Sequence, residues 1–312
     1  MNHSTPMHGP THDVTQGLTR RGFATLAAAA LLPAAQAQAD DASAPITRPI
    51  PSSGERLPAV GLGTARVFDT DDAQTRRAAT EVLRTLTGHG GRLVDTASSY
   101  GDAERVLGQA LAATGLHAKV FLATKLEAPD ASELDRSLKR LGVPRVDLLQ
   151  LHNVRDPRQS LAQFKAWKAQ GRCRYIGITS TYHGDFAALE AVLGREKPDF
   201  VQVDYSLDNH DAQQRVLARA ADVGAGVLTA LPFGRGRLFR AVRGRNIPDW
   251  AQGFAASWAQ FFLKYLIGDE RVTAVIPGTS DAAHMADNLG AMRGALPDAA
   301  ERRRMVAYIE SL

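Results

Sequence analysis

KVFLATKLEAPDASELDRSLKRLGVPRVDLLQLH, Lys119–His152, contains one complete cycle of the pattern that sets the fold. KVFLATKL (119–126) is a nearly continuous apolar run, as strands buried on both faces are. Residues 132–141 read as a helix capped by Ser132, and DLLQLH (147–152) as the next strand. Two strands separated by a helix are joined by a crossover, so they pair in parallel.

The same alternation extends both ways from this segment. Upstream, the sequence predicts strands at Ala59–Ala65 and Arg92–Ala97 and helices at Asp72–Gly88 and Asp102–Thr114. Downstream it predicts a helix at Gln159–Gln170, a strand at Tyr175–Thr179, a helix from Asp185, a strand at Phe200–Tyr205 and a helix from Asp211. Gly226–Leu231, a helix over Trp250–Leu266, Thr273–Pro277 and a last helix near Asp281 complete eight strand–helix units. The fold class is therefore α/β: a single (β/α)8 TIM barrel, preceded by a short β-hairpin over Thr47–Arg56 that covers its bottom. An open doubly wound sheet would need a glycine fingerprint, and Gly61-Leu62-Gly63 is followed by Arg66 where the third glycine belongs.

The chain has 312 residues, 44% of them apolar, which suffices for one such core. A net charge of +4, evenly spread, argues against nucleic acid as a partner. Glu301-Arg302-Arg303-Arg304 reads as the end of a solvated C-terminal helix. Near the N-terminus, Arg20-Arg21-Gly22-Phe23 precedes a short Ala-rich apolar run and the small residues Ala37-Gln38-Ala39. The run is too short for a stable membrane anchor, and the arginine pair fits the twin-arginine (Tat) pattern. Residues 1–39 are thus expected to be a Tat signal peptide engaging the Tat translocase, 40–51 a tether and 52–312 the barrel, giving a periplasmic protein exported already folded. The single cysteine, Cys173, rules out an intrachain disulfide and reads as a small core residue.

Chemistry collects where the strands of a parallel barrel end. Asp95 ends the second strand, with Tyr100 in the loop beyond it; Lys125 ends the third and His152 the fourth. A phenol is a poor acid at neutral pH unless an ammonium stabilises its anion, and a carboxylate can hold that ammonium in place. Such a phenol can protonate an oxygen gaining negative charge while an imidazole hydrogen-bonds the same oxygen. Carbonyl reduction makes these demands, with the hydride supplied by a nicotinamide. Asp208-Asn209-His210-Asp211 has ligand types but no metal-site spacing; Asp211 is read as a helix cap and no metal is expected.

VDTASSYGDAERVLGQAL, FLATKLE and DLLQLHNV resemble the Asp, Tyr, Lys and His motifs of the aldo-keto reductases, from about Leu57 to Arg293. The resemblance implies a catalytic tetrad of Asp95, Tyr100, Lys125 and His152, with Tyr100 the general acid, acting on a small carbonyl or alcohol. It also implies an extended NAD(P)(H) across the barrel mouth. Thr64 lies at that mouth, Thr179, Ser180 and Gln202 correspond to the carboxamide contacts, and Pro232, Gly234, Arg235 or Arg237, Gly236 and Leu238 to the loop over the pyrophosphate. Gly278, Thr279 and Ser280 would meet the ribose phosphate, and His284, Asp287 and Asn288 the adenine. The family pattern is departed from in three places: Thr179-Ser180 stands for the usual Ser-Asn, Ala230 for a stacking aromatic, and Gly278 with His284 for a basic clamp on the 2′-phosphate. With the Thr279 and Ser280 hydroxyls and a helix N-terminus left to hold that phosphate, NADP(H) is placed narrowly ahead of NAD(H). The departures leave one alternative, a catalytically silent barrel that binds a ligand or partner. Phe68, Tyr182, Phe233 and Trp250 are candidates for a substrate pocket.

Overall fold

Eight parallel strands follow one another around a closed ring, each hydrogen-bonded to the next in sequence order. They are β3 (Leu62–Gly63), β4 (Leu93–Asp95), β5 (Phe121–Leu126), β6 (Val146–Leu151), β7 (Cys173–Ser180), β8 (Phe200–Asp204), β9 (Gly226–Ala230) and β10 (Val272–Val275). The first and last strands meet through the parallel bridges Val60–Val275 and Gly63–Gly278, with the Gly61 amide 2.8 Å from the Val275 carbonyl. This computed structural model describes residues 44–312. The expected leader, residues 1–39, and the tether as far as residue 43 lie outside the described residues.

Ahead of the barrel, β1 (Thr47–Pro49) and β2 (Arg56–Pro58) form the expected antiparallel hairpin, so β1 occupies part of the stretch read as tether. Ile50 and Leu57 of the hairpin join the inner core of the barrel. From the turn, Ser53 Oγ lies 2.8 Å and Glu55 Oε2 2.9 Å from the Tyr175 hydroxyl. The hairpin is the barrel's floor.

Alternation within the strands makes two cores. Leu122, Leu126, Leu149, Leu151, Ile176 and Ile178 face outward into the layer between barrel and helices. Leu93, Phe121, Leu148, Tyr175 and Phe200 face inward and fill the lower barrel. Two and four residues higher on the same side come Asp95, Lys125, Gln150, His152, Thr179 and Gln202, so the interior changes from apolar floor to polar rim. Gly177 sits between: a Cβ there would lie 3.0 Å from Gln150 Cγ and 3.2 Å from the Phe200 carbonyl. Its missing side chain leaves room for Gln150.

The surrounding helices include α1 (Ala73–Gly88), α2 (Ala103–Thr114), α3 (Ala131–Leu141), α4 (Ala162–Ala169), α5 (Phe186–Glu196), α6 (Asp211–Gln214), α7 (Val216–Val223), α8 (Arg237–Ala241), α9 (Trp258–Ile267), α10 (Ala282–Gly290) and α11 (Ala299–Glu310). At Gly108 a Cβ would stand 2.3 Å from the Arg140 carbonyl, so only glycine permits this approach of α2 to the end of α3. Beside it, the buried Glu104 carboxylate accepts from Thr124 Oγ1 at 2.6 Å, Ser137 Oγ at 3.0 Å and Arg140 Nε at 2.7 Å. Those three donors offset the cost of burying its charge.

Several boundaries differ from the sequence reading. Asp130, not Ser132, caps α3, accepting from the Ser132 amide at 2.8 Å. The helix read over Trp250–Leu266 is a single turn at Asp249–Ala251 followed by α9, which starts after the Ser257 cap. Asp211 opens α6 without making a cap bond. Glu301 completes a capping box with Asp298, so the charged block begins α11 rather than ending it. No helix among the described residues is long and apolar enough to cross a membrane.

Candidate active site

The floor of the polar rim is an ion pair sealed from water. Lys125 Nζ lies 2.5 Å from Asp95 Oδ2 and donates to the Thr96 carbonyl at 2.8 Å; the two residues are 1% and 2% exposed. Gln150 Nε2 donates to the other Asp95 oxygen at 3.1 Å, so both carboxylate oxygens are held. Burial opposes the lysine charge, but the Asp95 carboxylate and then the facing Tyr100 outweigh it and keep Lys125 above its ordinary range. The site therefore keeps a fixed ammonium.

Tyr100 comes from the loop between β4 and α2. Lys125 Nζ stands 5.0 Å from the centroid of its ring, and the His152 ring meets it edge to face at 5.7 Å and 74°. The four residues singled out from sequence thus occupy one patch of the rim. His152 follows β6, and its Nδ1 lies 2.5 Å from Glu127 Oε1. Glu127 also accepts from Ser99 Oγ at 2.8 Å and Asn153 Nδ2 at 3.3 Å. Burial, and after it the Lys125 charge, push His152 below the usual histidine range; Glu127 pulls the other way without winning. Burial raises Glu127, but the Ser99, His152 and Asn153 contacts hold it below the ordinary carboxylate range.

Glu127 and Gln150 were not found in the sequence. Each lies two residues from a site residue: Gln150 from His152, near the end of β6, and Glu127 from Lys125, just past the end of β5. That spacing was the available signal.

Around the rest of the rim the other candidates have distinct surroundings. Thr179 and Gln202 are partners in the β7–β8 register. Gln202 Nε2 and Thr64 Oγ1 are buried without a hydrogen-bond partner among the described residues. Ser180 is committed locally: its hydroxyl donates to Asp185 Oδ2 at 2.9 Å and accepts from the Tyr182 amide at 3.2 Å. In the loop after β9, Arg235 holds a left-handed backbone at φ 54° with its side chain exposed, and Arg237 Nε is tied to Asp208 Oδ2 at 2.8 Å. Pro232 and Gly234 are buried there, Gly236 is half-buried, and Leu238 is packed in the outer core.

After β10, Gly278 bridges Gly63 and the Thr279 hydroxyl accepts from the Asp281 amide at 3.0 Å. Asp281 caps α10, taking the Ala283 amide at 2.7 Å and the His284 amide at 3.0 Å. The helix amides expected to meet a phosphate are therefore already satisfied by a carboxylate. Ser280 and His284 are exposed, Asp287 accepts from Gln260 Nε2 at 2.8 Å, and Asn288 is buried. Asp204, at the end of β8, was also missed; burial raises it to about 6, against the pull of His183 and the nearby arginines.

Of the pocket candidates, Phe68 is fully buried, Trp250 packs on Phe261 and Tyr308, and Phe233 on Phe239. Tyr182 alone stands free, 69% exposed. Within Asp208-Asn209-His210-Asp211 the side chains diverge: Asp208 pairs with Arg237, while Asn209 and Asp211 contact opposite nitrogens of His183. Cys173 is buried and its thiol pushed up to about 12 by that burial.

The aldo/keto reductase family model matches residues 59–303 of the chain. A methylglyoxal reductase of Escherichia coli strain K12 is 30% identical over 255 residues, spanning 78% of this chain and 88% of that protein. An aldo-keto reductase of Mycolicibacterium smegmatis is 28% identical over 246 residues, 75% of this chain and 81% of its own. Among solved structures, an aldo/keto reductase from Klebsiella pneumoniae in complex with NADP and acetate superposes with a TM-score of 0.71 at 25% identity, covering 85% of this chain and 96% of that one. Closed barrel, gathered tetrad and matched family model agree, and the chain belongs to the aldo/keto reductase family.

Proposed function

We propose that this protein is an NAD(P)(H)-dependent oxidoreductase that interconverts a small aldehyde or ketone and its alcohol. The observation that carries this reading is the buried Asp95–Lys125 pair set against Tyr100 and His152 at one rim. In the reductive direction Lys125 stabilises negative charge on the Tyr100 oxygen as its proton leaves for the substrate oxygen, and Asp95 keeps the ammonium in place. A bound dinucleotide would supply the hydride. The unpartnered Gln202 Nε2 is a donor suited to a nicotinamide carboxamide, and Thr64, Thr179 and the exposed Arg235 are the other residues that would hold the coenzyme. The E. coli relative is named a methylglyoxal reductase, and two K. pneumoniae structures are complexes with NADPH or NADP. Small aldehydes and α-dicarbonyls are accordingly the first substrates to offer. Their reduction should be visible as loss of NAD(P)H absorbance; a protein that binds neither coenzyme at millimolar concentration would end this reading.

On the coenzyme, sequence alone favours NADP(H) narrowly, but Asp281 weighs toward NAD(H) because its carboxylate fills the helix end to which the resemblance assigns the 2′-phosphate. Replacing it, Asp281→Ser, removes the opposing charge. We expect NADPH affinity relative to NADH to rise by about two- to fivefold, read from two fluorescence titrations. An unchanged ratio would mean that the phosphate sits elsewhere.

We further propose export by the Tat route to the periplasm, supported by Arg20-Arg21 and the apolar run behind them. Changing both arginines to lysine should leave full-length protein in the cytoplasmic fraction. Equal periplasmic recovery of both forms would refute it.

A further inference from the structure

The Glu127–His152 contact has a consequence for proton position. Ser99 Oγ and Asn153 Nδ2 both donate to Glu127, as they would to a carboxylate, and its Oε1 lies 2.5 Å from His152 Nδ1. A carboxylate oxygen only accepts, so Nδ1 at that distance carries a hydrogen. A neutral imidazole has one N–H, which leaves Nε2 as a lone pair. Nε2 has no protein partner among the described residues and is the nitrogen left for a bound molecule. A lone pair repels a carbonyl oxygen and attracts a hydroxyl.

We propose that Glu127 is a positioning residue that pins the imidazole proton on Nδ1, so that neutral His152 accepts a hydrogen bond from an alcohol and donates to a carbonyl oxygen only when protonated. The inference rests on the reductase reading for its functional half. No hydride or electron is involved; the ring gains one proton from solvent, and its Nε2–H then faces the substrate oxygen.

The charged and titratable groups around the ring set the direction of the pH effect. Asp95 and Lys125 lie beneath it, Tyr100 and Ser99 face it from the loop after β4, and Glu127 and Asn153 from the loops after β5 and β6. Burial and then Lys125 disfavour the charged ring and lower its pKa. Reduction therefore gains as pH falls through a value below the ordinary histidine range. Alcohol oxidation gains as pH rises through the same value.

Nitrogen-15 NMR of histidine-labelled protein tests the tautomer directly, with His152 signals assigned by their loss in His152→Asn. Above the ring's pKa the wild type should show a pyrrole-like Nδ1 and a pyridine-like Nε2. An Nε2–H tautomer there overturns the proposal, whatever the activity. In Glu127→Gln the new amide can donate to Nδ1 and release the proton to Nε2, so the two signals should exchange character. Reductive kcat/KM should fall about tenfold per pH unit above the His152 pKa in the wild type, and less than about twofold per unit in Glu127→Gln. Identical nitrogen patterns or identical pH slopes in the two proteins would refute a role for Glu127. If the Nδ1–H tautomer is found but no carbonyl is turned over, the reductase reading fails while the pinned proton stands.

Discussion

Tyr100→Phe is expected to lower kcat for carbonyl reduction by about 10²- to 10⁴-fold, with coenzyme affinity and melting temperature nearly unchanged. The ring is retained, so its edge contact with His152 and its place over Lys125 persist. What goes is the hydroxyl, the group proposed to deliver a proton as charge builds on the substrate oxygen. His152, neutral over most of the working range, does not replace it, because its proton is directed at Glu127. Stopped-flow reduction of a reactive aldehyde, with parallel coenzyme titration, separates the chemical step from binding. Equal rates in both proteins would remove Tyr100 from the role of acid and favour the catalytically silent barrel.

Lys125→Met is expected to lose both activity and stability. The side chain is 1% exposed and the carboxylate it neutralises 2% exposed, so removing the ammonium strands a buried anion. Breaking such a pair from one side costs about 3–5 kcal/mol, which is roughly 6–20 °C in melting temperature for a domain of this size. Loss of activity alone does not prove a catalytic role, since a damaged barrel is also inactive. The double variant Asp95→Asn with Lys125→Met supplies the control: with no buried charge left, most of the stability should return. Its reduction rate should stay low, because the phenol has lost its cation. Recovery of activity together with stability would mean that the pair only holds the barrel rim together.

The barrel was legible because strands buried on both faces are written as apolar runs, and those of β5 and β6 are long. The gathering of Asp95, Lys125 and His152 was legible because each stands where such a run ends, and Tyr100 because it lies in the loop just beyond Asp95. Pairings that depend on partners far apart in sequence were not legible. Gln150 lies inside an apolar strand and becomes part of the site only because Asp95 is brought beside it across the barrel. Glu127 lies just past the end of β5 and joins the site only because His152 is brought beside it from the neighbouring strand. Trp250 to Leu266 misled for another reason. Its aromatics have helical spacing, yet Trp250 and Phe254 pack as a knot against Phe261, and Ser257 caps the true helix partway through. The first strand was read too long because Val60 and Gly61 bond to β10 outside the regular ladder.

The hairpin floor bears on the order of events. Ile50 and Leu57 stopper the lower end, and Ser53 and Glu55 fasten the stopper to Tyr175. A vessel shut at its base admits and discharges everything through one opening. Under the proposed function, a coenzyme and a small substrate meeting above Lys125 would share that passage, and the piece that settled deeper would be trapped until the shallower one departed. Turnover should then follow a last-in, first-out sequence.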